Sequence, residues 1–142
     1  MDNRKRGATR ERLNVEHSPE LSPEDWATFV EVPSFTKAWK KLGLDEKDRR
    51  ALQIIIMSAP DAPIVKGTGG LRKIRFASDR WGSGKRSGAR VCYVYVTEFS
   101  VVFLLSIYMK KDKDSLTAAE KQSIKKLIQE LRDQLRRGRI NV

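Results

Sequence analysis

Between residues 71 and 108, three strand-length runs (71–77, 89–96 and 100–108) follow one another, the last two of them apolar and β-branched. Gly67-Thr68-Gly69-Gly70 precedes the first, a Gly/Ser-rich loop at 79–88 follows it, and a tight turn near Thr97-Glu98-Phe99 joins the other two. Such runs bounded by turn residues read as strands. The stretch 26–32 (Trp-Ala-Thr-Phe-Val-Glu-Val) is aromatic and β-branched up to Pro33, and adds a strand at the other end of the chain.

Helical periodicity fills the remainder. Ser34 is placed to cap a helix whose apolar positions Phe35, Ala38, Trp39 and Leu42 recur at the 3.6 period before Gly43. A second helix starts at Asp45, with Glu46 and Asp48 in its first turn, where the dipole favours acids. Leu52, Ile55, Ile56 and Ala59 form its apolar side, and Pro60 and Pro63 stop it. Thr117-Ala118-Ala119-Glu120 is a capping box opening a last helix through Ile124, Leu127, Ile128, Leu131 and Leu135, which ends at Arg137-Gly138. The expectation is an α+β fold with a small antiparallel or mixed sheet, in the order β-α-α-β-β-β-α. Residues 1–24, polar and aperiodic, are expected to form a flexible charged arm, and residues 25–142 one domain.

Composition narrows the function classes. One Cys and one His exclude a disulfide framework and a Cys/His zinc cluster within one chain. No apolar run approaches the roughly 18–20 residues that span a bilayer, and the N-terminus lacks the apolar segment of a secretory signal. A cytoplasmic protein with no membrane partner is expected. The net charge of +11 calls for an anionic partner, and its distribution is sorted. Residues 66–90 hold Lys66, Arg72, Lys73, Arg75, Arg80, Lys85, Arg86 and Arg90 against the single acid Asp79, whereas residues 14–65 are mildly acidic.

Strand alternation sets which cations act together. On the 71–77 strand, Arg72, Ile74 and Phe76 point one way, and Lys73 and Arg75 the other, close enough to reach one phosphate. Arg90 opens the next strand, and Tyr108, Lys110 and Lys111 lie where the last one runs out. Arginine grips a phosphate bidentately, lysine acts as a point charge, and an aromatic ring stacks on a splayed base, which suits RNA. Cleavage without a metal needs a base for the 2′-hydroxyl, cations for the charge developing on phosphorus, and an acid for the leaving oxygen. Lys73 is the candidate base, Arg75 and Arg90 the candidate clamps, and Lys110 the candidate acid or a further clamp. Arg72, Trp81, Lys85, Arg86, Tyr108 and Lys111 are candidate RNA contacts. A metal-dependent nuclease needs clustered carboxylates, and the central segment offers only Asp79, so neither metal nor cofactor is expected. The 67–70 glycines lack the Walker spacing and lead into a strand, so they read as turn formers. Cys92, inside an apolar strand, reads as a buried small residue.

Three blocks, Gly67-Thr68-Gly69-Gly70-Leu71-Arg72-Lys73-Ile74-Arg75-Phe76-Ala77, the 84–91 loop with Arg90, and 104–121 with Tyr108, Lys110 and Lys111, resemble the HigB branch of the RelE-type bacterial toxins. The resemblance covers roughly residues 26–135. It implies the fold order above and a toxin of a type II toxin–antitoxin system that cuts mRNA on the ribosome without a metal. It also implies a cognate antitoxin, often a helix-turn-helix DNA-binding protein, and places the family's basic site residues on Lys73, Arg75, Arg90 and Lys110. Leu116 stands in the region where some relatives carry a stacking tyrosine, leaving Tyr108 or Trp81 as substitutes. The same fold includes ParE-type gyrase poisons, and a non-enzymatic RNA- or ribosome-binding module remains a reading of the same cations.

Overall fold

The computed structural model describes residues 26–82, 87–113 and 115–140; the arm at 1–24 and the loop cations Lys85 and Arg86 lie outside these. The elements are β1 (Thr28–Glu31), α1 (Pro33–Lys41), α2 (Glu46–Met57), β2 (Arg72–Phe76), β3 (Ala89–Val96), β4 (Val101–Met109) and α3 (Ala118–Arg136). The four-stranded sheet runs β1-β4-β3-β2, with β1 parallel to β4 and the other pairs antiparallel. This is the expected mixed α+β fold, with β2 and β1 as its edges. No helix among the described residues is long and apolar enough to cross a membrane.

Capping chemistry sets the helix starts. Asp45 accepts from the Asp48 N–H at 3.0 Å while the Asp48 carboxylate accepts from the Asp45 N–H at 2.9 Å. Thr117 and Glu120 make the same reciprocal pair at 3.1 and 2.8 Å. Each box satisfies two of the orphan N–H groups of a first turn. Ser34, by contrast, does not cap α1: Val32 occupies the cap without a side-chain bond, and Pro33 is the first helical residue. A proline's fixed φ and missing N–H fit that position, so Pro33 starts the helix as well as ending the strand. Ile55, expected in the core, is 38% exposed on α2. Leu52 and Ile56 are the buried apolar residues of α2, with Met57 packed partly buried against the same core.

Both faces of the sheet are covered. One layer packs Phe35 and Trp39 of α1 and Leu52 and Ile56 of α2 on Phe76, Ala89, Val91, Tyr93, Val102, Leu104, Ile107 and Met109. Phe35, Trp39 and Phe76 run in series with ring centroids 5.7 Å apart at each step, adding contact specificity to area burial. The other layer packs Ile128 and Leu135 of α3 on Leu71, Cys92, Val94, Val96, Val101, Phe103 and Leu105. A β-bulge between Cys92 and Tyr93 opposes Tyr93 to Leu104 and Cys92 to Ser106, leaving Leu105 as the extra residue. Beyond the bulge the alternation of β4 is reversed: Ile107 and Met109 turn to the α1–α2 layer, and Ser106 and Tyr108 to the α3 side.

Candidate nucleic-acid interface

The register of the three antiparallel strands builds a cationic row across one face. Arg75 on β2 lies opposite Arg90 on β3, and Arg90 lies opposite Tyr108 on β4. One step along, Lys73 opposes Cys92, which opposes Ser106. All six side chains share the face that α3 covers farther along the sheet. Arg75 is exposed, while Lys73 and Arg90 are half-buried.

Like charges directly opposite each other on a sheet are unfavourable unless an acceptor lies between them. Here that acceptor is the Ser87 carbonyl: Arg75 Nε donates to it at 3.2 Å and Arg90 Nη1 at 3.0 Å. A single oxygen thus sits where two guanidinium groups converge, as an oxygen of a phosphate would. The geometry depends on the next residue. Gly88 has φ +75, and a Cβ there would lie 2.8 Å from the Phe76 carbonyl oxygen, so only glycine returns the loop this closely to β2. The Gly88 carbonyl then accepts from the Lys110 N–H at 3.1 Å, joining the end of β4 to the same loop foot. Lys110 and the exposed Lys111 stand beside the row.

Beneath the cations the face is polar but poorly paired. The Ser106 and Tyr108 hydroxyls are buried without a hydrogen-bond partner of normal geometry. Burial pushes the Tyr108 phenol up to about 12, and the neighbouring Cys92 adds to this while Arg90 opposes it. Burial likewise raises the Cys92 thiol, against the pull of Ser106, Lys73 and Tyr108. Cys92 is fully buried, in keeping with a packing role. Tyr108 offers the row no exposed hydroxyl.

Two candidate contacts lie elsewhere. Arg72 opposes Tyr93 on the α1–α2 face and donates from Nη1 to the Ala62 carbonyl, so alternation removes it from the row. Trp81 packs edge-on against Phe76, with centroids 6.5 Å apart and planes at 72°, on that same opposite layer. Sequence reasoning also missed an anchor at the start of the loop. The buried Asp48 carboxylate accepts from Ser78 Oγ at 2.8 Å and from Arg80 Nη2. Burial raises the Asp48 pKa, but the Asp45 N–H, Ser78 and Arg80 outweigh it, and the net shift is downward. The helix start at Asp45 and the first-turn place of Asp48 were legible in the sequence; the partners of Asp48, about thirty residues away, carried no local signal.

No protein-family model matches the chain. Among solved structures, it is similar to the Escherichia coli toxin RelE in its free state, as a double arginine-to-alanine variant. The two are 21% identical over 63% of this chain and 88% of that one, with a TM-score of 0.44. The isolated E. coli RelE toxin is 20% identical over 71% and 98% of the two chains, with a TM-score of 0.41. The intact E. coli RelBE toxin–antitoxin complex gives 22% identity over 57% and 93%, with a TM-score of 0.39.

Proposed function

We propose that this chain is the toxin of a type II toxin–antitoxin system, a metal-independent, ribosome-dependent mRNA endonuclease of the HigB branch that acts in the cytoplasm. The observation that supports this most is the convergence of Arg75 and Arg90 on one oxygen, with Lys73 and Lys110 at the margins of the same face. The three sequence blocks that resemble the HigB branch include all four of these residues.

In this reading a scissile phosphate replaces the Ser87 carbonyl between the two guanidinium groups, which donate to its non-bridging oxygens. Lys73 takes the proton of the adjacent 2′-hydroxyl. The 2′-oxygen then bonds to phosphorus as the bond to the 5′-oxygen breaks, and Lys110 gives that leaving oxygen a proton. The products are a cyclic phosphate and a free 5′-hydroxyl, with no change of oxidation state. Donors aimed at the developing negative charge account for most of the acceleration, about 10²–10³-fold for each one removed. A cognate antitoxin, of the helix-turn-helix kind, would silence the protein by masking this face.

Expression should arrest growth, and Lys73→Ala with Arg75→Ala should relieve the arrest while leaving the circular dichroism spectrum unchanged. Primer extension on message from translating ribosomes in EDTA should show new ends. Bound but intact message would assign a binding module, and DNA breaks with intact message a gyrase poison. A fully toxic double variant would remove the assigned site.

A further inference from the structure

A second basic surface lies outside the row. On α3, Lys121, Lys125, Arg132 and Arg136 recur at i, i+4, i+11 and i+15, within about 60° of one helix face at 3.6 residues per turn. The stripe meets the turn that leads into β2. That turn is tightly built: Thr68 is fully buried, its Oγ1 donates to the Val65 carbonyl at 2.6 Å and accepts from the Leu71 N–H at 3.0 Å. Gly69 and Gly70 have φ +77 and +120; a Cβ on them would lie 3.5 Å from Lys125 Cγ and 3.1 Å from Arg132 Nη2. Two residues without side chains therefore let the stripe approach the backbone, and leave between them an open groove of about 180 Å³.

Lining this groove are Gly69, Lys125, Gln129, Arg132, Asp133 and Arg136, with the buried Ile128 as its floor. Of the cations that line it, Lys125 and Arg132 have no ion-pair partner among the described residues. Arg136 alone is paired, with Asp133 at 2.7 Å. Unneutralised cations brought together by a fixed turn favour an anion. The groove also leads toward the proposed site, because β2 continues from the turn and its Lys73 and Arg75 point to the α3 side. From Gly70 to Arg75 is about 17 Å of strand at ~3.3 Å per residue.

We propose that this groove is a second RNA-backbone site, holding phosphates of the same strand a few nucleotides from the scissile one. The inference rests on the proposed RNA substrate and extends it from one phosphate to a track. An acidic protein segment fits less well, because the groove exposes no aromatic or aliphatic anchor of the kind that dominates protein interfaces, whereas phosphates need only cations.

The test uses the full chain, a fluorescent 12-nucleotide 2′-O-methyl RNA that cannot be cleaved, and a trinucleotide of the same chemistry. Lys125→Gln with Arg132→Gln and Arg136→Gln should weaken 12-mer binding about tenfold or more at moderate salt. It should also flatten the log K against log salt slope by about 2, from three lost contacts at ~0.7 each. Trinucleotide affinity should stay unchanged. Arg132→Lys with Arg136→Lys should retain the slope, which a purely structural role would not predict. An unchanged slope and 12-mer affinity in the triple variant would overturn the groove, as would tighter binding of a 12-residue polyglutamate than of RNA. Lys73→Ala with Arg75→Ala separates the two ideas: it should abolish cleavage yet keep the groove's share of the slope. If that variant still cleaves, the site assignment fails while the slope measurement still decides the groove.

Discussion

Gly88→Ala tests both the fold and the cationic row at one position. The new Cβ would sit 2.8 Å from the Phe76 carbonyl oxygen, a backbone atom inside the β2–β3 ladder that cannot swing away. It would also force a non-glycine residue to φ +75. The left-handed conformation costs about 1–2 kcal/mol, and overpacking against backbone typically adds about 1–3 kcal/mol. Lower unfolded-chain entropy returns about 0.4–1 kcal/mol. The net is about 3 kcal/mol, or a Tm lower by about 12 °C for a domain of this size. Two other glycines separate the contributions. Gly43→Ala keeps the positive φ (+76) but meets nothing within 4 Å, so it should cost only about 1 kcal/mol. Gly82→Ala meets nothing and needs no positive φ, so it should be neutral. Thermal unfolding followed by circular dichroism should rank Gly88 far below Gly43, and Gly43 below Gly82. Because Gly88 positions the Ser87 carbonyl and the Lys110 N–H, its substitution should also reduce the proposed cleavage. If Gly88→Ala melts no lower than Gly43→Ala, the argument that the loop foot is sterically locked on β2 is wrong.

Other expectations follow from the buried polar groups. The net lowering of the Asp48 pKa means that its stabilisation is fully present above the ordinary carboxylate value of 3.8 and is lost as pH falls through the lower folded value. The stability gap between wild type and Asp48→Asn should therefore be constant from neutral pH to about 5 and close below about pH 4; denaturant titrations showing a gap that widens in acid would contradict the anchor. Tyr108→Phe removes a buried hydroxyl that has no partner of normal geometry, so it should be neutral or stabilise by up to about 1 kcal/mol. A loss above about 1.5 kcal/mol in urea unfolding would show the hydroxyl to be paired. The same phenol should ionise near 12 in an ultraviolet titration. Cys92, fully buried with a raised thiol pKa, should resist iodoacetamide at pH 8 and react once guanidinium unfolds the chain; rapid labelling of native protein would mean the α3 layer opens readily.

Local chemistry was legible wherever neighbours in sequence are neighbours in space. The Thr117/Glu120 box and the acids that follow Asp45 act within one helical turn, so residue identity alone locates both helix starts. The 89–96 strand has the bounds its apolar run suggests. Lys73 and Arg75 share a face because strand side chains alternate with a period of two. Ser34 misled because a cap depends on where the preceding strand releases the chain, and Pro33 had already taken the first helical position. Ile55 misled because periodicity marks an apolar stripe without saying how wide a contact it finds.

What the sequence by itself determined is the inventory: the elements, their order, the capped helices, and a central segment whose charge is almost all of one sign. The tertiary structure alone decided which of those charges meet. Parallel pairing of β1 with β4 joins residues about seventy apart in the chain. The bulge at Cys92 and Tyr93 reverses the alternation of β4, so that Tyr108 falls beside Arg90 instead of in the α1–α2 core. A one-residue insertion into a ladder turns every later side chain to the other face. Its position is set by how β3 and β4 pack between two helical layers, which no run of adjacent residues encodes.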